Sequence, residues 1–496
     1  MLKSAAKQEW FIMRKTKIVC TLGPASLKRE VIREMIQSGM DVARLNFSHG
    51  DHDFHREIAH SVREESKVFG KPVALLQDLQ GIKIRIGEAE NGVVELKENS
   101  IIEVVPGNGL TTSSRIYINY EPLLKDIQEG EEILLDDGLL RLKVTSKHPD
   151  RLLAEVIEGG PLRSRKGVNF PHTRISACTF TEKDRYDLKA GIEIGVDYVA
   201  LSFVRKAEDI LRVKEWAKKE GFKLPPLIAK IEKKEALENV EEIVEVAEGI
   251  MVARGDLGVE ISTEMVPVWQ KLLVEAANRK GKIVIIATQM LESMREHTSP
   301  TRAEATDVAN AVLDGTDALM LSAETAIGKF PALATRTMHS IICATEQHLY
   351  SRIFVTYDPQ GIFPEAMVSG AIQTAQDIKA KAIVVFTHSG FTATLISNLR
   401  PATPVIAMTP DPNTFTRLPL LWGVYPHLLT MREKTVNTEL LKEAEEILVA
   451  QYNAQKGDPV VFVASSPFLG NRNLLRLHRI GDPLEEESQC NTDSVR

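Results

Sequence analysis

The chain has 496 residues, a net charge of −7 and acids and bases interspersed, which allows two to four domains and leaves no basic footprint for nucleic acid. No apolar run reaches the roughly 18 residues of a membrane helix, and the N-terminal "MLKSAAKQEWFIMRKTK" has no signal-peptide core, with Met13 as an alternative start to Met1. Four scattered cysteines without a CxxC pair suggest neither a disulfide framework nor a zinc site, so a cytoplasmic protein with no membrane partner is expected.

In chain order, short apolar runs occur at 17–22, 41–48, 73–79, 198–204, 226–232, 250–256, 282–289 and 318–324. Helix-like segments separate most of them, such as "LKREVIREMIQSG" and "MVPVWQKLLVEAANRKG", each ending on a capping glycine. Eight near-continuous apolar strands alternating with helices predict an α/β fold, a TIM (β/α)8 barrel. Residues 82–167 interrupt the pattern. "IKIRIG", "VVELKENSIIEVV", "RIYINY" and "EEILLDDGLLRLKV" alternate at period two, with Asp137-Gly138 as a turn signal. This predicts a small β domain threaded into the loop after the third strand, a lid over the barrel mouth. From about 346, "KAIVVFTHSG", "TPVIAMTP", "GVYPHLLT" and "PVVFVASS" alternate with helical stretches and predict a doubly wound α/β domain. The expected organisation is an extension at 1–13, barrel at 14–81, lid at 82–167, barrel at 168–345, C-terminal domain at 346–480 and a polar tail at 481–496.

Polar residues gather at the C-terminal ends of the barrel strands. Arg44, Asn46 and Ser48 alternate on the second, Asp78 ends the third, and Ser202 lies near the end of the fourth. Lys230 and Glu232 end the fifth, two apart and so on one face, and Asp256 ends the sixth. Thr288 and Gln289 end the seventh, Ser322 and Glu324 the eighth. One such residue is an ordinary cap or ion pair, and Gln289 and Glu324 can simply buttress the rim. A set converging from most strands is where a barrel keeps its active site. Glu232 and Asp256 are hard oxygen ligands suited to one Mg2+ (or Mn2+) that keeps open positions. Lys230 is a compact charge beside them and Arg44 a planar fork for phosphate. These groups suit phosphoryl transfer.

"TLGPAS", "RLNFSHG", "DLQGIKIR", "RKGVN", "LSFVR", "IAKIE", "ARGDLGVE", "ATQMLESM" and "SPTRAEATDVANAVLDGTDALMLSAETAIGKFP" together resemble the pyruvate kinase family. The resemblance runs from about Lys15 to Val463 and implies a small β-barrel as the inserted lid, and transfer between phosphoenolpyruvate and ADP, giving pyruvate and ATP in the last step of glycolysis. It implies that Lys230 stabilises the transferring phosphoryl group, that Glu232 and Asp256 hold Mg2+, and that Gly255, Asp256 and Thr288 hold the substrate carboxylate. Arg44 then matches the phosphate-binding arginine, and Arg85 and Lys166 match nucleotide-side cations at the lid hinges. Asn46, Ser48, Asp78 and the carbonyl of Leu79 match a monovalent-cation site, Asn46 also lying on the nucleotide side. Thr288 and Ser322 are candidate relays, through water, for protonating the enolate. A phosphorylated effector is expected at Thr387, Ser389, Gly390 and Thr392, with helix capping as the plainer alternative, and a homotetramer is expected.

The sequence departs from the family at Ile82, Arg174, Cys178, Lys233, Ser465 and Ser466. Five residues after Asp78 stands Lys83, where potassium-dependent relatives carry glutamate. Leu79, Gln80 and Ile86 agree with the K+-independent subgroup. An ammonium at 83 can supply the charge of the bound ion, so K+ is not expected to be required.

Overall fold

The computed structural model describes residues 13–353, 355, 357–359, 361–430, 438–464 and 473–484. Met1 with most of the N-terminal extension, Ser465, Ser466 and residues 485–496 of the tail lie outside the described residues.

Eight strands, Lys17–Leu22, Val42–Asn46, Ala74–Asp78, Tyr198–Leu201, Leu227–Ile231, Gly249–Ala253, Ile283–Ala287 and Ala318–Leu321, pair in parallel with their chain neighbours. The first also pairs with the last, Lys17 opposite Ala318, and closes the barrel. Their side chains alternate between two apolar surroundings. Ile18, Cys20, Ala43, Leu45, Leu75, Ala229, Ile250 and Val252 pack outward with the helices. Val19, Val42, Leu76, Ala200, Ile228, Met251 and Ile285 fill the interior. Both faces being dry, the strands read as continuous apolar runs. The inward parity continues upward through Thr21, Arg44, Asp78, Ser202 and Lys230, so the interior becomes polar only at its C-terminal mouth.

The surrounding helices end where the sequence predicts in one case and slightly earlier in another. Arg29–Ser38 is capped by Gly39 at φ 117, whose N–H reaches the Ile36 carbonyl. Val266–Arg279 is capped by Lys280, one residue before Gly281. The helix Pro331–Leu349 runs through the expected boundary at 345–346, and its Met338 and Ile342 pack into the barrel's outer core.

The insert is a curled, barrel-like unit with its own apolar core. A six-stranded sheet, in the order Val168–Asn169, Glu132–Leu135, Leu140–Lys147, Leu152–Glu158, Ile101–Pro106 and Arg115–Ile118, lies beside the pair Gly160–Arg163 and Val93–Leu96. The predicted turn at Asp137-Gly138 is present, with Asp136, Asp137 and Gly138 all at positive φ. The core takes in Phe170 and Ile175, beyond the expected limit at 167.

The C-terminal domain has five strands in the order Val424–Leu428, Val405–Thr409, Ala382–Phe386, Pro459–Ala464 and Leu474–Arg479, only the last antiparallel. Ile383, Val385 and Val461 pack with Val368, Ala371 and Ile396 on one face, while Val384, Phe386 and Phe462 pack with Leu440, Ala444 and Leu448 on the other. The domain is therefore doubly wound. The first of these cores is continuous with the barrel interior. At that floor Tyr198 Oη donates to the Arg417 carbonyl at 3.0 Å and Arg400 pairs with Asp317 at 2.6 Å.

Gly249, at the start of the sixth strand, has no room for a side chain: a Cβ there would stand 2.7 Å from the Ile283 carbonyl oxygen and 2.8 Å from Ile228 Cδ1. One obstacle is backbone and cannot swing aside. Gly249→Ala is expected to cost about 1–3 kcal/mol in denaturant unfolding. An unchanged midpoint would mean the barrel wall yields more readily than its packing implies.

Candidate active site

At the barrel mouth, four charges share hydrogen bonds. Lys230 Nζ lies 2.8 Å from Glu232 Oε1, 3.2 Å from Asp78 Oδ1 and 2.8 Å from Ser202 Oγ. Arg44 Nε donates to the other Asp78 oxygen at 2.7 Å and its NH1 to Thr21 Oγ1 at 2.9 Å. Lys230 and Glu232 thus share one face, although Glu232 lies just past the strand Leu227–Ile231. The Lys230 side chain is 11% exposed, that of Asp78 2% and that of Glu232 1%.

The pKa shifts follow from this crowding. Burial lowers the Lys230 pKa, but Asp78 and Glu232 outweigh it and raise the pKa above its ordinary value. Burial disfavours the Asp78 carboxylate, yet Lys230 and Arg44 together hold it below its usual range. For Glu232, burial and the nearby Asp256 charge outweigh Lys230 and the Phe203 N–H, and its pKa is raised. Glu232 is fixed further by the Phe203 N–H at 2.7 Å, with Phe203 in the left-handed region at φ 57.

Asp256 is not at a strand end as the sequence run suggests. The sixth strand stops at Ala253, and Asp256 lies exposed in the first turn of the helix Arg254–Glu260. Among the described residues no group of three or more His, Cys, Asp or Glu could hold a metal. Glu232 and Asp256 are a two-carboxylate set within electrostatic reach of each other. Such a set fits a hard divalent cation that takes its remaining oxygens from substrate and water.

Thr288 also falls just past its strand, at φ 69, followed by Gln289 at φ 55. For a β-branched residue this is strained backbone. Arg254, absent from the sequence-predicted set, accounts for its persistence. Its NH2 donates to the Thr288 carbonyl at 2.8 Å and the Gln289 carbonyl at 3.1 Å, while NH1 grips both Asp307 oxygens at 2.7 and 2.8 Å. The turn so held lets Thr288 Oγ1 accept the Gly255 N–H at 2.8 Å. In the sequence, Arg254 is hidden beside the more conspicuous Gly255-Asp256. Glu324 buttresses the rim, accepting from the N–H groups of Leu291 at 3.0 Å and Ser322 at 2.7 Å. Ser322 Oγ is buried without a hydrogen-bond partner among the described residues.

The remaining predicted residues fall into three places. Asn46 ends the second strand opposite Asp78, and Ser48 lies in the turn beyond it, its N–H donating to Asn46 Oδ1 at 3.1 Å. The Leu79 carbonyl accepts from Ser202 Oγ at 2.7 Å. Lys83 is half-buried and within electrostatic reach of Asp256, Lys230 and Glu232; burial, then Arg85, lowers its pKa. In the insert, Arg85 bridges Gly167, and Lys166 Nζ lies 2.6 Å from Asp136. Far from the mouth, Thr387, Ser389 and Gly390 lie between the strand Ala382–Phe386 and the helix Phe391–Asn398, and Thr392 is in the first turn of that helix. There Thr387 Oγ1 accepts the Gly390 N–H at 3.0 Å and Ser389 Oγ the Phe391 N–H at 3.4 Å, bonds local to the turn that leads into the helix.

Residues 13–335 match the family model described as pyruvate kinase, barrel domain, and residues 365–478 match that described as pyruvate kinase, alpha/beta domain. The chain belongs to the pyruvate kinase family. It is 44% identical to pyruvate kinase of Geobacillus stearothermophilus over 480 residues, 95% of this chain and 81% of that one. It is 41% identical to pyruvate kinase of Mycobacterium tuberculosis (strain ATCC 25618 / H37Rv) over 474 residues, 95% of this chain and 99% of that one. As a member of the pyruvate kinase family it is an enzyme, a phosphotransferase. Among the described residues no helix is long and apolar enough to cross a membrane.

Arg254→Gln is expected to release the Thr288 turn and lower kcat about 10²-fold, because a misplacement of order 1 Å near the chemistry has that effect. Arg254→Lys should fare little better, since one ammonium cannot span two carbonyls and Asp307. Steady-state kinetics check this; a variant of normal rate would leave Arg254 a purely structural role.

Proposed function

We propose that the chain transfers the phosphoryl group of phosphoenolpyruvate to ADP, giving pyruvate and ATP, with Mg2+ or Mn2+ as cofactor. The observation that carries this reading is the Lys230 ammonium, nearly dry, ionised by Asp78 and Glu232, and flanked by Arg44. In the reaction the bond from the enol oxygen to phosphorus breaks and one from phosphorus to a terminal oxygen of ADP forms. Lys230 and Arg44 offset the phosphoryl charge in a low-dielectric cavity, where fixed cations act most strongly. A divalent cation held by Glu232 and Asp256 would supply positive charge to the substrate's oxygens. The Gly255 N–H and Thr288 hydroxyl, fixed together by Arg254, orient the substrate carboxylate, with Asp256 beside them. Arg85, Lys166 and Asn46 serve the nucleotide side, Lys166 exchanging Asp136 for phosphate, while the insert excludes water. The pyruvate enolate then takes a proton at carbon through water, and the unpartnered Ser322 hydroxyl and Thr288 are suited to order that water.

The same reading includes a monovalent-cation site already served by the protein. Both Asp78 oxygens, the Leu79 carbonyl and Asn46 Oδ1 each accept a protein donor, and Lys83 adds a charge nearby. A coupled assay for pyruvate with Mg2+ should give near-full activity without K+ or NH4+. Lys83→Glu should lower that rate and make it respond to K+. No pyruvate under any ionic condition would defeat the reaction. A wild-type rate rising more than about tenfold with K+, roughly 1.4 kcal/mol of barrier, would defeat the role of Lys83.

Regulation at Thr387, Ser389, Gly390 and Thr392 by a phosphorylated effector belongs to the proposal, since small hydroxyls and backbone N–H groups at a helix start suit phosphate. Sugar phosphates and nucleoside monophosphates should shift phosphoenolpyruvate saturation, and a full panel without effect leaves only the capping role. A cytoplasmic homotetramer completes the reading. Exposed Val268 and Leu272 on one helix and Leu475 and Leu477 on an edge strand support self-association, which sedimentation of a monomer would refute.

A further inference from the structure

We propose that Lys233, Glu260 and Asn169 form a latch that seats the insert on the barrel rim and sets the closed position of Lys166; the functional half of this rests on the phosphoryl-transfer reading above. The three residues come from three elements. Lys233 directly follows Glu232 at the end of the fifth strand. Glu260 closes the helix Arg254–Glu260, whose first turn carries Gly255 and Asp256. Asn169 ends the last strand of the insert, Val168–Asn169, three residues beyond Lys166. Lys233 Nζ lies 2.5 Å from Glu260 Oε1, and Asn169 Nδ2 donates to the same oxygen at 2.9 Å. The Glu260 side chain is 2% exposed and that of Lys233 15%.

A carboxylate this dry cannot rest on a neutral amide alone, because an uncompensated buried charge is strongly destabilising. Lys233 supplies the compensating charge from the barrel side, so the acceptor persists whether or not the insert is seated. Asn169 can then leave and return at modest cost, as a hinge contact must. The contact is not isolated. The insert's turn at Gly138 approaches the same helix, where a Cβ on Gly138 would stand 3.7 Å from Val259 Cγ1. Lys233 Nζ also lies 6.0 Å from the centre of the Phe203 ring, and the Phe203 N–H holds Glu232. Seating the insert therefore bears on the helix that presents Asp256 and on the loop that fixes Glu232. Lys233, Glu260 and Asn169 are positioning residues, acting through Lys166 and Asp256 rather than on substrate.

The test reads hydrogen exchange of the amides at 166–170, where the Val168 N–H is bonded to the Ile84 carbonyl at 3.0 Å. Asn169→Ala and Lys233→Ala should each speed that exchange about tenfold, the scale of one lost hydrogen bond to a charged group. Each should raise KM for ADP or lower kcat severalfold, with KM for phosphoenolpyruvate within about twofold of wild type. The double variant should exchange no faster than the faster single one, because both act through one Glu260 oxygen. Lys233→Arg should restore wild-type behaviour. Unchanged exchange in Asn169→Ala, a variant with little reason to misfold, would overturn the latch, as would effects that simply add in the double variant. Exchange needs no turnover, so the latch is decided separately from the reaction assigned to the site.

Discussion

An ammonium kept charged in a nearly dry cavity is the constraint around which the rest of this molecule is arranged. Burial disfavours the Lys230 charge and Asp78 and Glu232 more than offset it, while Lys230 and Arg44 hold the Asp78 carboxylate charged and Lys230 pairs with Glu232. Removing any one member leaves an uncompensated charge, which in such surroundings costs about 3–5 kcal/mol. The barrel makes the set tenable. Its lower interior is filled by Val19, Leu76, Ile228 and Met251, its floor is sealed by the C-terminal domain through a continuous core, and only the uppermost inward positions are polar.

Two further features follow from keeping that cavity closed and ordered. The strained Thr288 turn presents a hydroxyl to the Gly255 N–H, and its strain is held by Arg254, itself buried and anchored on Asp307. Above the mouth, the insert rests on the helix that carries Asp256, through Asn169 and Glu260. One seven-residue helix, Arg254–Glu260, therefore touches the turn at Thr288, carries a candidate metal ligand and receives the insert. Its sequence, "RGDLGVE", accordingly has three charges, Arg254, Asp256 and Glu260, each with one of those roles.

The barrel was legible because strands buried on both faces read as uninterrupted apolar runs, and period two then assigned Arg44, Asp78 and Lys230 to the interior. The C-terminal domain was legible for the same reason. What periodicity could not show is where a strand stops. Ser48, Asp256 and Thr288 fit the apolar runs but lie beyond the last ladder bond, in turns or helices whose conformation depends on distant donors such as Arg254. Likewise Lys233 stood out in the sequence, but its partner Glu260 is 27 residues away on another element, a pairing that only the closed barrel brings about. Phe170 and Ile175 fill the core of the insert without showing strand alternation in the sequence.

The central claim, that the Lys230 charge acts chiefly on the phosphoryl group in transfer, is tested most directly by steady-state kinetics of Lys230→Met beside its unfolding curve. The account predicts a folded protein whose kcat falls by 10² to 10³ or more, on the order expected for removing a preorganised charge. KM for phosphoenolpyruvate should change little, because the contact is worth most in the transition state. A folded variant that keeps kcat and raises KM would make Lys230 a binding group and contradict the account.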